Sequence, residues 1–195
     1  MNWLAHASLA PADPQLRLGN LIADLVKGSA RQELSERVKL GMAHHQLIDA
    51  FTDSHELVWQ SRRRLPSQYR RYSGILVDVF YDHILAREWD TYHSQSFQEF
   101  TGVLYSEVRD QLVLLPADSR VAMTRMIDHD LLGSYQHATG IEFALQRISE
   151  RFNRRRGLNL TLEDSVEILS AQYGEFSADF AQFFPELRQH LKTHI

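Results

Sequence analysis

Apolar residues return every three or four positions along most of this 195-residue chain, a spacing that one face of an α-helix produces. No stretch alternates apolar and polar residues as a β-strand does, and no Asn-Gly or Asp-Gly pair marks a hairpin. Only five prolines and nine glycines interrupt the pattern. The sequence therefore predicts an all-α fold, a single-domain helical bundle over residues 1–195.

The apolar pattern and its interruptions predict about seven helices. Their predicted ranges are 16–26, 38–51, 67–92, 96–115, 118–135, 140–157 and 161–195. Ser35 is the candidate N-cap of the second helix, and Thr161 with Asp164 forms a candidate capping box. Pro185 is expected to kink or break the last helix, and His194 is expected to lie near its end.

Composition excludes several classes of protein. The chain has no cysteine, so disulfides, thiolate metal sites and cysteine nucleophiles are ruled out. A net charge of -4 argues against general nucleic-acid binding. No apolar run approaches the roughly 20 residues of a membrane span, and residues 1–6 do not resemble a signal peptide. We expect a soluble, cytoplasmic protein with no nucleic-acid or membrane partner.

Acidic residues and histidines stand at helical spacing inside strongly apolar segments. His45, Asp49 and Asp53 are four residues apart on the second predicted helix, so they share one face. Asp78 and Asp82 repeat that spacing on the third helix, with His83 beside them, and Asp24 lies in an apolar run of the first. One buried carboxylate is usually an ion pair, but imidazoles and carboxylates converging from several helices favour a metal site. His44 is expected at the surface or behind the ligands.

Arginines form two runs in the sequence. The first comprises Arg62, Arg63, Arg64, Arg70 and Arg71. It lies between the two helices that carry the candidate ligands, so it favours a phosphate group or an acidic partner. The second comprises Arg151, Arg154, Arg155 and Arg156, and we interpret it as a solvated helix face.

Other motifs point away from several functions. His129-Asp130 is followed by a helix-ending Leu-Leu-Gly segment, which predicts a solvated polar turn. The chain contains neither a glycine-rich phosphate loop nor a G-x-S-x-G nucleophile elbow. No glutamate has a histidine three residues later, which argues against a di-iron carboxylate oxidase.

Three ordered blocks of residues 1–90 resemble the acyl carrier protein phosphodiesterase family. The first block comprises residues 2–6 and 19–28, from Asn2-Trp3-Leu4-Ala5-His6 to Gly28. The second comprises Gly41, His45, Ile48-Asp49 and Phe51-Thr52-Asp53, and the third Asp78, Asp82-His83, Leu85 and Trp89. Two positions depart from the family pattern: Gln46 replaces an arginine, and Trp3 replaces phenylalanine or tyrosine. Arg62 to Arg64 are candidates for the missing charge.

The resemblance implies a divergent, HD-domain-like relative of the His-Asp metal phosphohydrolases. It implies hydrolysis of the phosphodiester between 4′-phosphopantetheine and a serine of holo acyl carrier protein, a reaction of lipid and fatty acid metabolism. The products are apo carrier protein and 4′-phosphopantetheine. The expected metal is manganese, with magnesium or another divalent ion as the alternative. Polar positions that match the family are His6, Asp24, His45, Asp49, Asp53, Asp78, Asp82 and His83.

On chemical grounds we assign roles to these matched residues. His45, Asp49 and Asp82 are expected to lead the metal shell, with Asp24 and Asp78 as further ligands or anchors. His6 or His83 is expected to protonate the departing serine oxygen. The arginines of the first run are expected to receive the acidic carrier protein.

Two alternatives stay open at this point. In the first, the same fold serves a phosphohydrolase of nucleotides or other small phosphate esters. In the second, a non-enzymatic helical adaptor uses the arginines to bind an acidic protein, with the acids as structural ion pairs.

Overall fold

The computed structural model describes residues 1–193, and every regular element within that range is a helix. The α-helices are α1 Trp3–Leu9, α2 Pro14–Ile22, α3 Glu36–Ser54, α4 Glu56–Arg64, α5 Ser73–Arg87, α6 Trp89–Tyr92, α7 Phe97–Gln111, α8 Ala117–Asp128, α9 Leu131–Ser134, α10 Ala138–Arg156, α11 Val166–Ala171 and α12 Tyr173–Lys192. Short 3₁₀ helices occupy Gly28–Arg31, Ser67–Tyr72, Leu112–Leu114 and Glu163–Ser165. The all-α prediction is confirmed over residues 1–193, whereas the expected position of His194 lies outside the described residues.

Capping residues explain where several helices begin. The Ser35 side chain accepts a hydrogen bond from the Val38 amide at the start of α3, as predicted. Ser96 and Glu99 form a capping box at α7. The capping box expected at Thr161 is wrong, because the Thr161 hydroxyl donates to the Asp164 side chain instead and a 3₁₀ helix begins at Glu163.

Several predicted helices are divided in the structure. The helix expected over 67–92 comprises a 3₁₀ helix, α5 and α6. That expected over 118–135 is interrupted at Asp130, whose φ of 43° is left-handed and whose side chain caps α9. His129 and Asp130 are exposed, which confirms the predicted polar turn. Two helices, α1 and α4, were not predicted.

Pro185 does not break the last helix, because α12 continues from Tyr173 to Lys192 through it. A proline inside a helix removes one backbone hydrogen bond. Phe183, Phe184 and Leu187 surround it and are fully buried. Their packing offsets the lost bond and keeps the helix continuous.

The central helix of the bundle is α5, which packs against α1, α4, α10 and α12. Its segment from Val79 to Ala86 is buried on every side, as expected for a helix with apolar residues all round. The exceptions are Asp82, whose side chain is fully buried, and the adjacent His83, which is also buried.

Two glycines let α2 and α3 cross at very short distance. A Cβ on Gly19 would lie 2.2 Å from the Val38 carbonyl oxygen, and one on Gly41 would lie 2.2 Å from that of Leu16. No residue with a side chain fits at either position without separating the helices. This crossing brings residue 20 of α2 against residue 45 of α3.

No helix among residues 1–193 is both long enough and apolar enough to cross a lipid bilayer.

Candidate metal centre

Three side chains from two helices converge beside the middle of α3. His6 comes from α1, and His45 and Asp49 come from successive turns of α3. Nε2 of His6 lies 3.2 Å from Asp49 Oδ1, and Nε2 of His45 lies 3.0 Å from Asp49 Oδ2. The two imidazole rings stack with their centroids 3.8 Å apart. We call these three residues the metal cluster.

Three of the four imidazole nitrogens of the metal cluster, both of His6 and Nε2 of His45, are buried without hydrogen-bond partners. Neither imidazole contact with Asp49 has hydrogen-bond alignment, and Nδ1 of His6 also has no partner. Such buried polar atoms are costly and call for an explanation. One ligand atom from each residue can be chosen so that all lie within 4.8 Å of one another. Two imidazoles and a carboxylate are a donor set that divalent transition metals accept, so these residues fit such an ion.

Asn20 fixes the orientation of His45. The Asn20 carbonyl oxygen lies 2.8 Å from His45 Nδ1, so Nδ1 carries the proton and Nε2 presents a lone pair to Asp49 and its surroundings. The Asn20 side-chain oxygen lies 3.3 Å from Nδ1 of His44. His44 is buried. A surface position is therefore excluded, and the other expected position, behind the ligands, is the one that the structure shows.

Two further predicted ligands lie beside the metal cluster. Asp24 Oδ2 is 3.8 Å from His45 Nε2, and its side chain is 83% exposed. The amino group of Met1 lies 3.1 Å from Asp78 Oδ1 and 3.5 Å from Asp49 Oδ1. The histidines thus form the buried floor of the site, while Asp24 and Asp49 stand at its open side.

Asp82 has a different environment from the one expected. Its Oδ2 accepts the Leu4 amide at 2.7 Å and its Oδ1 accepts the Ala5 amide at 3.1 Å. Both oxygens are therefore used to hold the first turn of α1, the helix that carries His6. Asp82 does not belong to the metal cluster among the described residues.

His83 and Asp53 also lie outside the metal cluster. Nδ1 of His83 is 2.6 Å from the Tyr135 carbonyl oxygen, and its ring is buried. Asp53 forms an ion pair with Arg62 at 2.6 Å. The role of His83 as a proton donor stays a prediction.

Burial and neighbouring charges shift the pKa values in the site. Burial lowers the pKa of the His6 imidazole to about 4, so this ring is neutral at physiological pH. Burial alone would raise the pKa of Asp49, but the neighbouring imidazoles of His45 and His6 together with the charged amino group of Met1 outweigh it, and the pKa lies below its usual value. A neutral imidazole beside an ionised carboxylate is the protonation state that metal binding requires.

For the two acids of α5, in contrast to Asp49, burial outweighs the neighbouring groups and the net shift of the pKa is upward. Burial raises the pKa of Asp78, against the amino group of Met1. It raises the pKa of Asp82 to about 7, against the two amides of α1.

The arginines of the first run have unequal environments. Arg63, Arg70 and Arg71 are exposed. Arg64 instead pairs with the buried Asp179 of α12 through two hydrogen bonds, a structural contact between α4 and α12. Arg62 is only 14% exposed, and its Nε is buried without a partner.

The departure at Gln46 lies on a groove that contains no residue of the metal cluster. The groove has a volume of about 400 Å³ and is lined by Arg31, Gln32, Lys39, Met42, Ala43 and Gln46. Arg31 and Lys39 line the same groove as Gln46, the position where the family pattern has an arginine. Arg62 instead lies against Asp53 and Gly74.

Asn20 and the glycine pair were missed by sequence reasoning as parts of the site. A buried asparagine within the apolar run Leu18 to Ile22 was the available signal. The crossing of α2 and α3 determines which histidine nitrogen Asn20 contacts. No local sequence pattern predicts that crossing.

The fold and the metal cluster define an all-helical protein with a candidate metal centre of two imidazoles and one carboxylate. A family model described as acyl carrier protein phosphodiesterase matches residues 1–187. The chain belongs to this family, and the predicted resemblance and enzyme class, a phosphodiester hydrolase, are confirmed.

Curated relatives agree with the family model over almost their whole length. The acyl carrier protein phosphodiesterase of Photorhabdus laumondii is 30% identical over 190 residues, which cover 97% of this chain and 94% of the relative. That of Pectobacterium atrosepticum is 30% identical over 194 residues, covering 99% and 98%. That of Yersinia enterocolitica is 31% identical over 188 residues, covering 96% and 95%. No solved structure matches the chain significantly.

Proposed function

We propose that this protein is a cytoplasmic, metal-dependent phosphodiesterase that acts on holo acyl carrier protein. It hydrolyses the bond between 4′-phosphopantetheine and the carrier serine, and it releases apo carrier protein and 4′-phosphopantetheine. The observation that supports this proposal best is the metal cluster, with its unpartnered imidazole nitrogens, in a chain that the family model matches over residues 1–187. The names of the curated relatives support the choice of substrate.

His6, His45 and Asp49 are the residues that would hold the metal, which we propose to be manganese, with magnesium or another divalent ion as the alternative. Asp24 and Asp78 stand close enough to the metal cluster to serve as further ligands or to hold water. When bound, a divalent metal supplies positive charge to the phosphoryl oxygens and a water molecule that ionises near neutral pH.

The surrounding residues of the chain have separate tasks. The Asn20 carbonyl keeps the lone pair of His45 Nε2 directed to the site. Asp82 holds α1, and through it the position of His6. Nδ1 of His83 donates to the Tyr135 carbonyl oxygen, and burial lowers the pKa of the ring, so Nε2 carries a lone pair. Protonation of the departing serine oxygen by His83 would require Nε2 to take up a proton first.

Arg62 is the arginine of the first run best placed to meet the scissile phosphate. Its guanidinium pairs with Asp53, one turn beyond Asp49 on α3, and its charge acts on Asp78. A guanidinium binds phosphoryl oxygens through two parallel hydrogen bonds. We assign Arg62 to the phosphate, and Arg63, Arg70 and Arg71 to the carrier protein.

Mass spectrometry of the reaction products tests this proposal. Holo carrier protein is incubated with the enzyme and Mn²⁺, with and without a chelator, beside a small diester and a nucleotide. We expect the intact mass of the carrier to fall by that of the prosthetic group, free 4′-phosphopantetheine to appear, and the chelator to prevent both.

Two other outcomes would contradict the proposal. An unchanged carrier mass with hydrolysis of the small diester or nucleotide indicates a phosphohydrolase of small esters. No hydrolysis and no bound metal in the folded protein indicates a helical adaptor.

A further inference from the structure

We infer that the arginines at the C-terminal end of α10 and the basic 3₁₀ segment Ser67–Tyr72 form one docking surface for the acidic carrier protein, beside the metal cluster. The α10 arginines are Arg151, Arg154, Arg155 and Arg156. We call this combined surface the arginine platform. The identity of the partner rests on the proposed function, whereas the existence of the platform rests on the contacts below.

An aromatic contact brings the two basic runs together. The ring of Phe152 on α10 packs edge-on against Tyr72, with their centroids 5.7 Å apart. Tyr72 ends the 3₁₀ helix that carries Arg70 and Arg71, and the guanidinium of Arg156 lies 5.4 Å from the Phe152 ring. Runs that are far apart in the sequence therefore become neighbours on the surface.

The platform borders the open side of the metal cluster. Both α10 and the 3₁₀ helix Ser67–Tyr72 pack against α5, the helix that carries Asp78. The Met1 amino group lies 3.1 Å from Asp78 and 3.5 Å from Asp49 of the metal cluster. A protein held on these arginines would have its bound phosphodiester next to the metal cluster. The second run is thus more than the solvated helix face that the sequence predicted.

Among the described residues, the arginines of the platform form no salt bridge. Over residues 1–193, no ion pair joins an acidic side chain to any of Arg70, Arg71, Arg151, Arg154, Arg155 and Arg156. Other arginines of this protein, such as Arg17 and Arg37, are paired. The arginines of this basic surface repel one another, although the chain as a whole has a net charge of -4. Such a surface attracts a partner of opposite charge.

Binding to carrier protein tests the platform without depending on turnover. Fluorescently labelled apo carrier protein is titrated with wild type and with the double variant Arg154→Glu/Arg155→Glu at low and moderate salt. The matched control is Arg109→Glu/Arg125→Glu, which makes the same charge change at exposed positions of α7 and α8. Circular dichroism verifies that each variant is folded.

We expect the α10 double variant to bind the carrier about tenfold or more weakly at low salt, with a smaller salt dependence, and the control to bind within about twofold of wild type. Equal binding by the α10 variant, or an equal loss in the control, would overturn the platform. Tighter binding of wild type to anionic lipid vesicles or to single-stranded RNA than to the carrier would overturn the choice of partner.

The titration, read together with the mass-spectrometric assay on holo carrier protein, separates this inference from the proposed function. Wild type that binds the carrier through the platform but releases no 4′-phosphopantetheine supports the platform and contradicts the proposed reaction. Release of 4′-phosphopantetheine with undiminished binding by the α10 variant supports the reaction and contradicts the platform.

Discussion

Replacing Asp82 with alanine should free the first turn of α1 from the central helix and move His6 out of the metal cluster. The carboxylate accepts two backbone amides, at 2.7 and 3.1 Å, in a fully buried place. A hydrogen bond to a charged group contributes about 1.5–3 kcal/mol, and an unsatisfied buried amide costs about 1–3 kcal/mol. Because truncation also removes the cost of burying the carboxylate, we expect a net loss of about 2–3 kcal/mol in the free energy of unfolding.

The assay is urea unfolding of the metal-free protein at pH 8, followed by far-UV circular dichroism in a chelator. At this pH the Asp82 carboxyl, with its pKa of about 7, is ionised. The expected loss corresponds to a fall of about 1 M in the urea midpoint. Turnover of holo carrier protein should fall at least about 100-fold, since small displacements of catalytic groups are that costly.

A metal-ligand role for Asp82 makes the opposite prediction for the metal-free protein. A stability change below about 0.5 kcal/mol in chelator, together with lost metal affinity, would refute the role of Asp82 as the anchor of α1. Asp82→Asn gives a graded comparison, because its amide keeps one acceptor oxygen for the two α1 amides.

Three further substitutions have outcomes set by the packing. Gly41→Ala places a Cβ 2.2 Å from the Leu16 carbonyl, and we expect a loss of about 2 kcal/mol and a fall of several degrees in the Tm. Asp179→Ala leaves the Arg64 guanidinium without its buried partner, and urea unfolding should show a loss of about 3 kcal/mol or more. Arg63→Glu should raise the KM for holo carrier protein while kcat changes little in steady-state kinetics, because Arg63 is exposed in the last turn of α4, where, among the described residues, only the exposed Glu56 pairs with it.

Controls for these variants come from the same structure. Gly102→Ala adds a Cβ with no atom within 4 Å, so it should leave the Tm unchanged or raise it slightly. An unchanged Tm for Gly41→Ala would show that the stability of the fold does not depend on the close crossing of α2 and α3. An Arg63→Glu enzyme that loses kcat at unchanged KM would contradict a docking role for Arg63.

Local patterns predicted the fold class and much of the metal cluster. Helical periodicity indicated the all-α bundle, and the four-residue spacing of His45 and Asp49 placed both on one face, as the structure has them. The same spacing could not distinguish a ligand from an anchor. Asp78 and Asp82 have the same four-residue spacing, but α1 packs against α5 so that both oxygens of Asp82 accept backbone amides of α1.

Long-range packing accounts for the remaining differences. His6 was expected as a proton donor, and only the docking of α1 on α5 places its ring against His45. The second arginine run is exposed, as predicted, but no local signal showed that Phe152 packs against Tyr72 and brings this run beside the first. Short helices such as α1 and α4 are stabilised by tertiary contacts rather than by propensity, and their sequences predict them poorly.

Manganese binding by the metal cluster is measured through the loss of the free Mn²⁺ electron paramagnetic resonance signal on titration with protein. Wild type should remove the signal, and Asp49→Asn should bind at least about 100-fold more weakly, because it loses the carboxylate that both imidazoles face. Asp53→Asn, one turn further along α3 and paired with Arg62, should bind as wild type does. Undiminished binding by Asp49→Asn, or no binding by wild type, would contradict a metal centre at His6, His45 and Asp49.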